Sequence, residues 1–272
     1  MSQKSVCFIG AGNMTRSIVS GLIRNGYNPQ LIRVTNPSLP KLDAMANDFG
    51  VQVFQDNLEA AALSEVIILS VKPQFMRDVC QQLAKLDLTD KFIITKAAGI
   101  TIQHYQDYFG QPTEIIRTMP NTPTQIEMGL TGLFASKNVP FEHKRFAEQI
   151  MQTGGEVIWV EHERELNDVI ALAGSAPAYF YLFMEAMVES AVKKGVNENK
   201  ARQMAQQAAL GAAQMAKHNN DISLAQLRLN VTSKGGTTAQ AIDTFEKGNL
   251  RGLVDNAMTN CIARAEEMAE QF

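Results

Sequence analysis

The sequence has little charge, cysteine or histidine, and each shortage excludes a class of protein. Charged residues form 19% of the 272 residues and the formal net charge is -3, so no excess of cations exists to release counterions from a nucleic acid. We therefore expect no nucleic-acid partner. The three cysteines, Cys7, Cys80 and Cys261, lie far apart. Such spacing is typical of reduced thiols in a cytoplasmic protein.

Metal-binding, targeting and membrane signals are also missing. The four histidines fall in different segments, and none has a ligand spacing such as H-E-x-x-H, so we expect no metal. The amino-terminal stretch lacks an apolar region followed by a cleavage site. No run approaches the ~20 apolar residues of a membrane helix. A cytoplasmic location without membrane contact is the prediction.

Strand-like and helical patterns alternate over the first 160 residues or so. Such alternation is typical of right-handed βαβ units around a mostly parallel sheet. Residues 66–71 are apolar on both faces, as in a central strand covered by helices on both sides. We predict a Rossmann-like α/β domain over residues 1–162. The predicted strands are Val6–Ile9, Leu31–Thr35, Val51–Phe54, Val66–Val71, Phe92–Thr95, Glu114–Arg117, Leu130–Phe134 and Val157–Val160.

The pattern becomes helical from about Asn167, and an all-α domain over residues 163–272 is predicted. Ser175 and Pro177 resemble the N-cap and first turn of a long helix ending near Lys193. Asn197 opens the next helix. These helices are rich in Ala and Met but too few to bury their apolar faces alone. We favour burial against a second copy of the chain, the alternative being packing on the first domain.

A glycine turn ends the first predicted strand. Gly10-Ala11-Gly12-Asn13-Met14 leads into a helix, whose free N–H groups suit the diphosphate of a dinucleotide. Thr15 stands where a third small residue is usual. The second strand ends in Thr35-Asn36-Pro37-Ser38 rather than in the acidic residue that binds the ribose of NAD. Asn36 and Ser38, with Arg33 or Lys41 nearby, could accept a 2'-phosphate, so NADP is favoured; a plain turn is the alternative.

Further turns follow later strands, where open α/β sheets place their ligands. One contains Val71-Lys72-Pro73, and another contains Ala97-Ala98-Gly99, whose small residues would let a flat ring approach. Residues 119–123 carry two prolines and form either the floor of a nicotinamide pocket or an ordinary connection. The residues predicted to bind the cofactor are Gly10, Gly12, Asn13, Met14, Asn36, Ser38, Asn57, Val71, Lys72, Pro73, Ala97, Ala98, Gly99 and Asn121.

The segment Val231–Thr238 places Ser, Gly and Thr at the start of a predicted helix. Free N–H groups beside hydroxyls suit a carboxylate, although a well-capped helix would look the same. The chain otherwise lacks a nucleophile motif, a carboxylate pair or a metal set. We infer a cofactor and a small anion as its ligands.

Six motifs together resemble the pyrroline-5-carboxylate reductase family in order and spacing, over nearly the whole chain. They are Gly10-Ala11-Gly12-Asn13-Met14, Val71-Lys72-Pro73-Gln74, Ala97-Ala98-Gly99, residues 119–123, residues 173–180 and residues 231–238. The last is the most specific to the family. Two positions depart from the pattern: Lys234 stands where proline is usual, and Ala176 where glycine or another small residue is common.

The resemblance implies NAD(P)H-dependent reduction of 1-pyrroline-5-carboxylate to L-proline, by a dimer that could assemble into larger rings. It further implies that Ser233, Gly235, Gly236, Thr237 and Thr238 bind the substrate, with the Thr238 hydroxyl near the ring nitrogen as the catalytic group. A β-hydroxyacid dehydrogenase is the nearest rival. Such enzymes use a lysine on the long helix, whereas the first lysine after residue 177 is Lys193. A nucleotide-sensing protein without turnover is a second alternative.

Overall fold

A computed structural model describes residues 3–271 of the chain. Two compact units are present. The first contains the chain up to Ser175 together with the segment from Cys261 onward, and the second is Ala176–Asn260. All the strands described belong to the first unit, and the second is helical.

The first unit is built on one sheet with the strand order β3-β2-β1-β4-β5-β6-β7-β8. Every neighbouring pair is parallel except β6 and β7, which are antiparallel. The chain order reverses between β1 and β4, where open α/β sheets bind their ligands. The predicted α/β class is confirmed. The strands are β1 (Val6–Ile9), β2 (Ile32–Thr35), β3 (Gln52–Phe54), β4 (Val66–Leu69), β5 (Phe92–Thr95), β6 (Glu114–Pro120), β7 (Gly129–Ala135) and β8 (Gly155–Trp159).

Strands β1 and β4 form the centre of the core, and all their residues are buried. Alternate side chains enter two separate apolar clusters: Val6 and Phe8 face one, Cys7 and Ile9 the other. This is the expected result of a period of two in a strand covered on both sides. Burial raises the pKa of the Cys7 thiol to about 12, so this cysteine stays protonated and packs as an apolar residue.

Helices cover both faces of the sheet. In the sequence, Gly26 and Gly50 follow helical patterns and stand where the left-handed residue that ends a helix belongs. They end two of these helices with positive φ angles of 79° and 67°, as predicted. The helices are α1 (Asn13–Arg24), α2 (Leu39–Phe49), α3 (Asn57–Ala62), α4 (Met76–Leu83), α5 (Ile102–Phe109) and α6 (Phe141–Gln152).

After β8, the described part of the chain is helical. Asn197 caps its helix as predicted, because its Oδ1 accepts the N–H of Lys200 at 3.3 Å, and Gly195 ends the preceding helix at φ 88°. These helices are α7 (Leu166–Val169), α8 (Ala176–Lys193), α9 (Glu198–His218), α10 (Leu224–Asn230), α11 (Thr237–Lys247) and α12 (Leu250–Glu270).

The predicted N-cap at Ser175 is wrong, because the helix has already begun. A π-helical turn, Ile170–Gly174, joins α7 to α8, and the Ser175 N–H donates to the Ile170 carbonyl at 2.7 Å. Pro177 has no N–H for the Ala173 carbonyl. The Asn121 amide donates to that carbonyl instead, at 3.1 Å. A side chain from another segment thus replaces the hydrogen bond that proline removes.

The joined helical run Glu163–Lys193 is 31 residues long and apolar enough to cross a membrane by length and composition. The sequence pattern does not indicate this run, because charged residues at its start and the Gly-Ser-Ala-Pro segment interrupt the apolar stretch. Phe180, Tyr181 and Leu182 are 61–66% exposed in the single chain. Apolar helices of this kind also occur in self-associating proteins, whose single chains expose the apolar face that assembly covers.

Candidate functional site

The turn after β1 can be made only by glycine at its first position. Gly10 has φ +113°, and a Cβ there would lie 2.8 Å from the carbonyl oxygen of Ser70 and 3.0 Å from its carbon. Its N–H donates to the Thr35 carbonyl at 2.9 Å. The turn therefore packs directly on the ends of β2 and β4, in a conformation that side chains rarely adopt.

The same turn leaves the start of α1 open. Gly12 is the N-cap in an extended conformation, and a Cβ added there would meet nothing within 4 Å. The first N–H groups of a helix have no partner within the helix and carry its positive partial charge. The Asn13 and Met14 amides are thus placed to bind an anion.

Thr15 compensates for the missing third small residue. Its side chain is fully buried, and its hydroxyl donates to the Gly10 carbonyl at 2.7 Å. The threonine therefore ties the first turn of α1 to the glycine turn.

A cavity of about 630 Å³ opens beside this turn. It runs along the carboxyl ends of β1, β2 and β4, and seven of the predicted cofactor residues line it. These are Gly10, Gly12, Asn36, Ser38, Asn57, Val71 and Lys72. Residues that the sequence interpretation did not assign also line it, namely Ile9, Ala11, Thr35, Pro37, Gln55, Ser70, Phe75 and Val79. Ile9, Thr35, Gln55 and Ser70 lie at or directly after strand ends, which was the available signal, whereas Phe75 and Val79 lie on helical segments after β4.

One end of the cavity suits a phosphate. Asn36 accepts the Ser38 N–H at 2.9 Å, which shapes the turn before α2. Ser38 is the N-cap of α2, but its hydroxyl makes no capping bond. Lys41 lines the cavity, whereas Arg33 turns away toward the Ser64 hydroxyl, 3.4 Å from it. The charged residues lining the described cavity are the cations Lys41 and Lys72.

The middle of the cavity combines satisfied and unsatisfied polar groups. Asn57 accepts the Thr35 hydroxyl at 2.6 Å and donates to Gln82 at 3.0 Å, so its amide is held in one orientation. The Ser70 hydroxyl is buried and has no hydrogen-bond partner within the described chain. A buried hydroxyl without a partner is costly. A polar ligand in the cavity is a fitting partner for it.

The remaining predicted cofactor residues do not line this cavity. Asn13 borders a neighbouring cavity with Arg16 and Ser17. Gly99, at φ +77°, lies against Met268, which a Cβ at Gly99 would approach to 2.9 Å. The Asn121 amide is buried between the Ala173 carbonyl and the Leu130 N–H. The others outside the cavity are Met14, Pro73, Ala97 and Ala98.

The predicted substrate loop lies in the helical unit and leads into α11. Gly235 adopts φ +76°, and Gly236 is the extended N-cap, so the first N–H groups of α11 are left for a ligand. The Gly236 N–H donates to the Ser233 carbonyl at 3.0 Å. A Cβ on Gly236 would come within 2.5 Å of the Ser233 hydroxyl. Ser233, Thr237 and Thr238 are exposed around this helix start.

Comparisons with known proteins cover both units. The family described as "Pyrroline-5-carboxylate reductase dimerisation" matches residues 163–268. The family described as "NADP oxidoreductase coenzyme F420-dependent" matches residues 5–99. The chain is 49% identical over 272 residues to a pyrroline-5-carboxylate reductase of Vibrio alginolyticus, with 100% of both chains covered.

Two solved structures extend the comparison to the fold. A pyrroline-5-carboxylate reductase from Coxiella burnetii has a TM-score of 0.93 and 44% identity, over 98% of this chain and 99% of that one. The Plasmodium falciparum pyrroline carboxylate reductase, solved with NADP bound, has a TM-score of 0.88 and 25% identity, over 99% of each chain.

Proposed function

The chain belongs to the pyrroline-5-carboxylate reductase family, and from this premise we propose which of its residues hold the cofactor and the substrate. The protein is an NAD(P)H-dependent oxidoreductase that reduces 1-pyrroline-5-carboxylate to L-proline. The cavity beside Gly10 and Gly12 holds the adenosine and diphosphate parts of the cofactor. The open start of α11 holds the substrate carboxylate. The observation that carries this assignment is the cation-lined cavity at the switch point of the sheet.

The residues predicted to bind the cofactor have proposed roles both inside and outside this cavity. The Asn13 and Met14 amides bind the diphosphate, and Gly12 lets it approach the backbone. Val71, Lys72, Pro73 and the Ala97-Ala98-Gly99 turn border the nicotinamide half. Asn57 orients the ribose. Asn121 acts on this site by positioning, because its amide holds β7 and the π-helical turn. When bound, NAD(P)H supplies the hydride.

The substrate needs no protein nucleophile. Protonation of its ring nitrogen makes the adjacent carbon electrophilic, so the protein has to bind, orient and exclude water. The Gly235 and Thr237 N–H groups, with the Ser233 hydroxyl, hold the carboxylate, and Gly236, whose N–H donates to the Ser233 carbonyl, shapes the loop around it. The Thr238 hydroxyl binds the ring nitrogen and stays bonded to the amine that forms. Fixing two reactants in this way supplies much of the rate enhancement in such reactions.

A substrate panel tests the function directly. We expect loss of NADPH absorbance with 1-pyrroline-5-carboxylate, and much slower loss with pyrroline-2-carboxylate. A β-hydroxyacid dehydrogenase would instead turn over 3-hydroxyisobutyrate with NADP. The position of Lys193 as the last residue of α8 argues against that enzyme. Turnover of the hydroxyacid alone would indicate a β-hydroxyacid dehydrogenase instead. Binding of NADPH without any turnover would indicate a nucleotide-sensing protein.

NADPH is the preferred cofactor in this proposal, because Ser38, Lys41 and the start of α2 can bind a 2'-phosphate. Replacing Ser38 and Lys41 together by alanine should raise KM for NADPH about tenfold, the usual effect of losing a charged hydrogen bond. KM for NADH should change less than about twofold, since NADH lacks that phosphate. Steady-state kinetics with both cofactors measures the difference. Equal changes in the two KM values would contradict the assignment.

Self-association, domain limits and location complete the proposal. By function, residues 163–272 form the dimerisation and substrate domain and residues 1–162 the cofactor domain, a division that the family match from residue 163 supports. By contacts, the first unit extends to Ser175 and includes the segment from Cys261 onward. A dimer buries the apolar faces of α8 and its neighbours, which the single chain exposes, and dimers could assemble into a larger ring. The three cysteines are free, which supports a cytoplasmic location.

A further inference from the structure

Lys96 lies directly after β5, and its side chain extends toward the first turn of α1. Its Nζ donates to the Thr15 hydroxyl at 3.3 Å, and that hydroxyl donates to the Gly10 carbonyl at 2.7 Å. Thr15 is the third residue of α1, whose first amides are free for an anion. A chain of two hydrogen bonds therefore joins the Lys96 ammonium group to the glycine turn of the cofactor cavity.

The Lys96 side chain is partly buried and, in the chain as described from residue 3 to residue 271, forms no ion pair. Burial alone lowers the pKa of Lys96 to about 7, and no charged side chain contributes to that shift. The nearby start of α1 carries positive partial charge, which disfavours a cation further. An anion that binds here from outside the chain would therefore stabilise the charged form of Lys96.

Charged groups on the surrounding elements do not supply that anion. On α1, Arg16 pairs with Asp48 and Arg24 with Glu127. On β6, Arg117 pairs with Glu163. The remaining charged groups are Glu114 at the start of β6, Lys72 after β4, and Arg264, Glu266, Glu267 and Glu270 on the last turns of α12, where Arg264 pairs with Glu267.

We propose that Lys96 provides the positive charge that balances the diphosphate of the bound dinucleotide, beside the amides of α1. This inference rests on the proposed cofactor site and adds to it a residue that no glycine motif contains. Thr15 positions the lysine, because its hydroxyl accepts from Nζ while donating to the turn. The cost of burying the ammonium group in the free protein is offset when the anion binds.

The proposal predicts a pH-dependent affinity with a definite sign. A diphosphate binds the protonated lysine more tightly, so binding raises the pKa of Lys96 above its value of about 7 in the free protein. Affinity should be greatest below pH 7. It should fall by up to about tenfold per pH unit above that point, until the pKa of the complex is reached.

NADH is the suitable probe because it lacks the 2'-phosphate, a monoester that itself titrates near pH 6. We would measure its dissociation constant by fluorescence from about pH 6 to about pH 9, for the wild type, Lys96→Met and Lys96→Arg. Lys96→Met should bind about tenfold more weakly near neutral pH, with no slope above pH 7. Lys96→Arg stays charged throughout and should also show no slope. A wild-type slope retained in Lys96→Met would overturn the proposal.

Two further ligands show which part of the dinucleotide interacts with Lys96. ADP-ribose contains the diphosphate but no nicotinamide, and 2'-AMP contains neither. Lys96→Met should weaken the binding of ADP-ribose as much as that of NADH and leave the binding of 2'-AMP unchanged. Weaker binding of NADH alone would place the lysine at the nicotinamide half of the site. Weaker binding of all three ligands would indicate a distorted domain. Either result contradicts the proposal. If the wild type binds neither NADH nor ADP-ribose, the cofactor site itself is misassigned.

Thermal unfolding without ligand separates binding from folding. Methionine has a similar length and no charge to bury, so Lys96→Met should unfold at the same temperature as the wild type or at a higher one. NADH should then raise the unfolding temperature of Lys96→Met less than that of the wild type. Equal stabilisation of the two proteins by NADH would remove Lys96 from the cofactor site.

Discussion

Replacing Gly10 by alanine should destabilise the sheet unit and abolish measurable binding of NADPH. A side chain at φ +113° costs about 1–3 kcal/mol. The new Cβ would also lie 2.8 Å from the Ser70 carbonyl oxygen, a backbone atom fixed by β4. The turn can relieve that contact only by moving away from β4. Such a movement displaces the first amides of α1, which are the proposed diphosphate ligands.

Gly12→Ala is the matched variant, because Gly12 has an ordinary φ of -84° and, apart from its chain neighbours, no atom of the described residues lies within 4 Å of an added Cβ. It should unfold like the wild type yet bind NADPH about tenfold or more weakly, since the methyl group occupies the space where the diphosphate approaches. Thermal unfolding and fluorescence titration measure the two effects separately. Wild-type affinity in Gly12→Ala would show that the diphosphate does not approach the backbone at this turn.

The architecture of the sheet could be predicted because its signals are local and repeated. The apolar run 66–71 predicts a central strand, and its first four residues form β4, which is buried between β1 and β5. Gly26 and Gly50 marked helix ends by the same left-handed conformation that they adopt in the structure. The glycine turn at residues 10–12 followed from its place after the first strand. In each case a few consecutive residues carry enough information.

Side-chain directions were harder to predict, because they depend on which elements pack together. The sequence predicts Arg33 near the 2'-phosphate, but its guanidinium extends toward the Ser64 hydroxyl instead. Ser175 resembles an N-cap, but the chain is already helical through the π-helical turn before it. In that turn the Asn121 amide, 52 residues away in sequence, satisfies the Ala173 carbonyl. Lys96 carries no motif at all. Its proposed role follows only from the fold, which brings Thr15, 81 residues earlier in the sequence, within hydrogen-bond distance.

Removing the hydroxyl of Thr238 should slow the reaction without disturbing the fold. The side chain is exposed at the second position of α11, and exposed substitutions usually change the free energy of unfolding by less than about 0.5 kcal/mol. If the hydroxyl binds the ring nitrogen, Thr238→Ala should lower kcat about a hundredfold, the usual cost of losing one donor or proton-transfer group. Steady-state oxidation of NADPH with 1-pyrroline-5-carboxylate measures this effect.

Three further variants separate chemistry from binding at this loop. Thr238→Ser keeps the hydroxyl and should retain most of the turnover, whereas Thr238→Val keeps the shape and should behave like Thr238→Ala. Ser233→Ala removes the hydroxyl that is assigned to the carboxylate, so it should raise KM for the imine while kcat stays near the wild-type value. A mechanism in which an ordered water alone serves the ring nitrogen requires an undiminished kcat in Thr238→Val. That result would restrict Thr238 to shaping the loop, and the carboxylate ligands would then be the only substrate contacts assigned to α11.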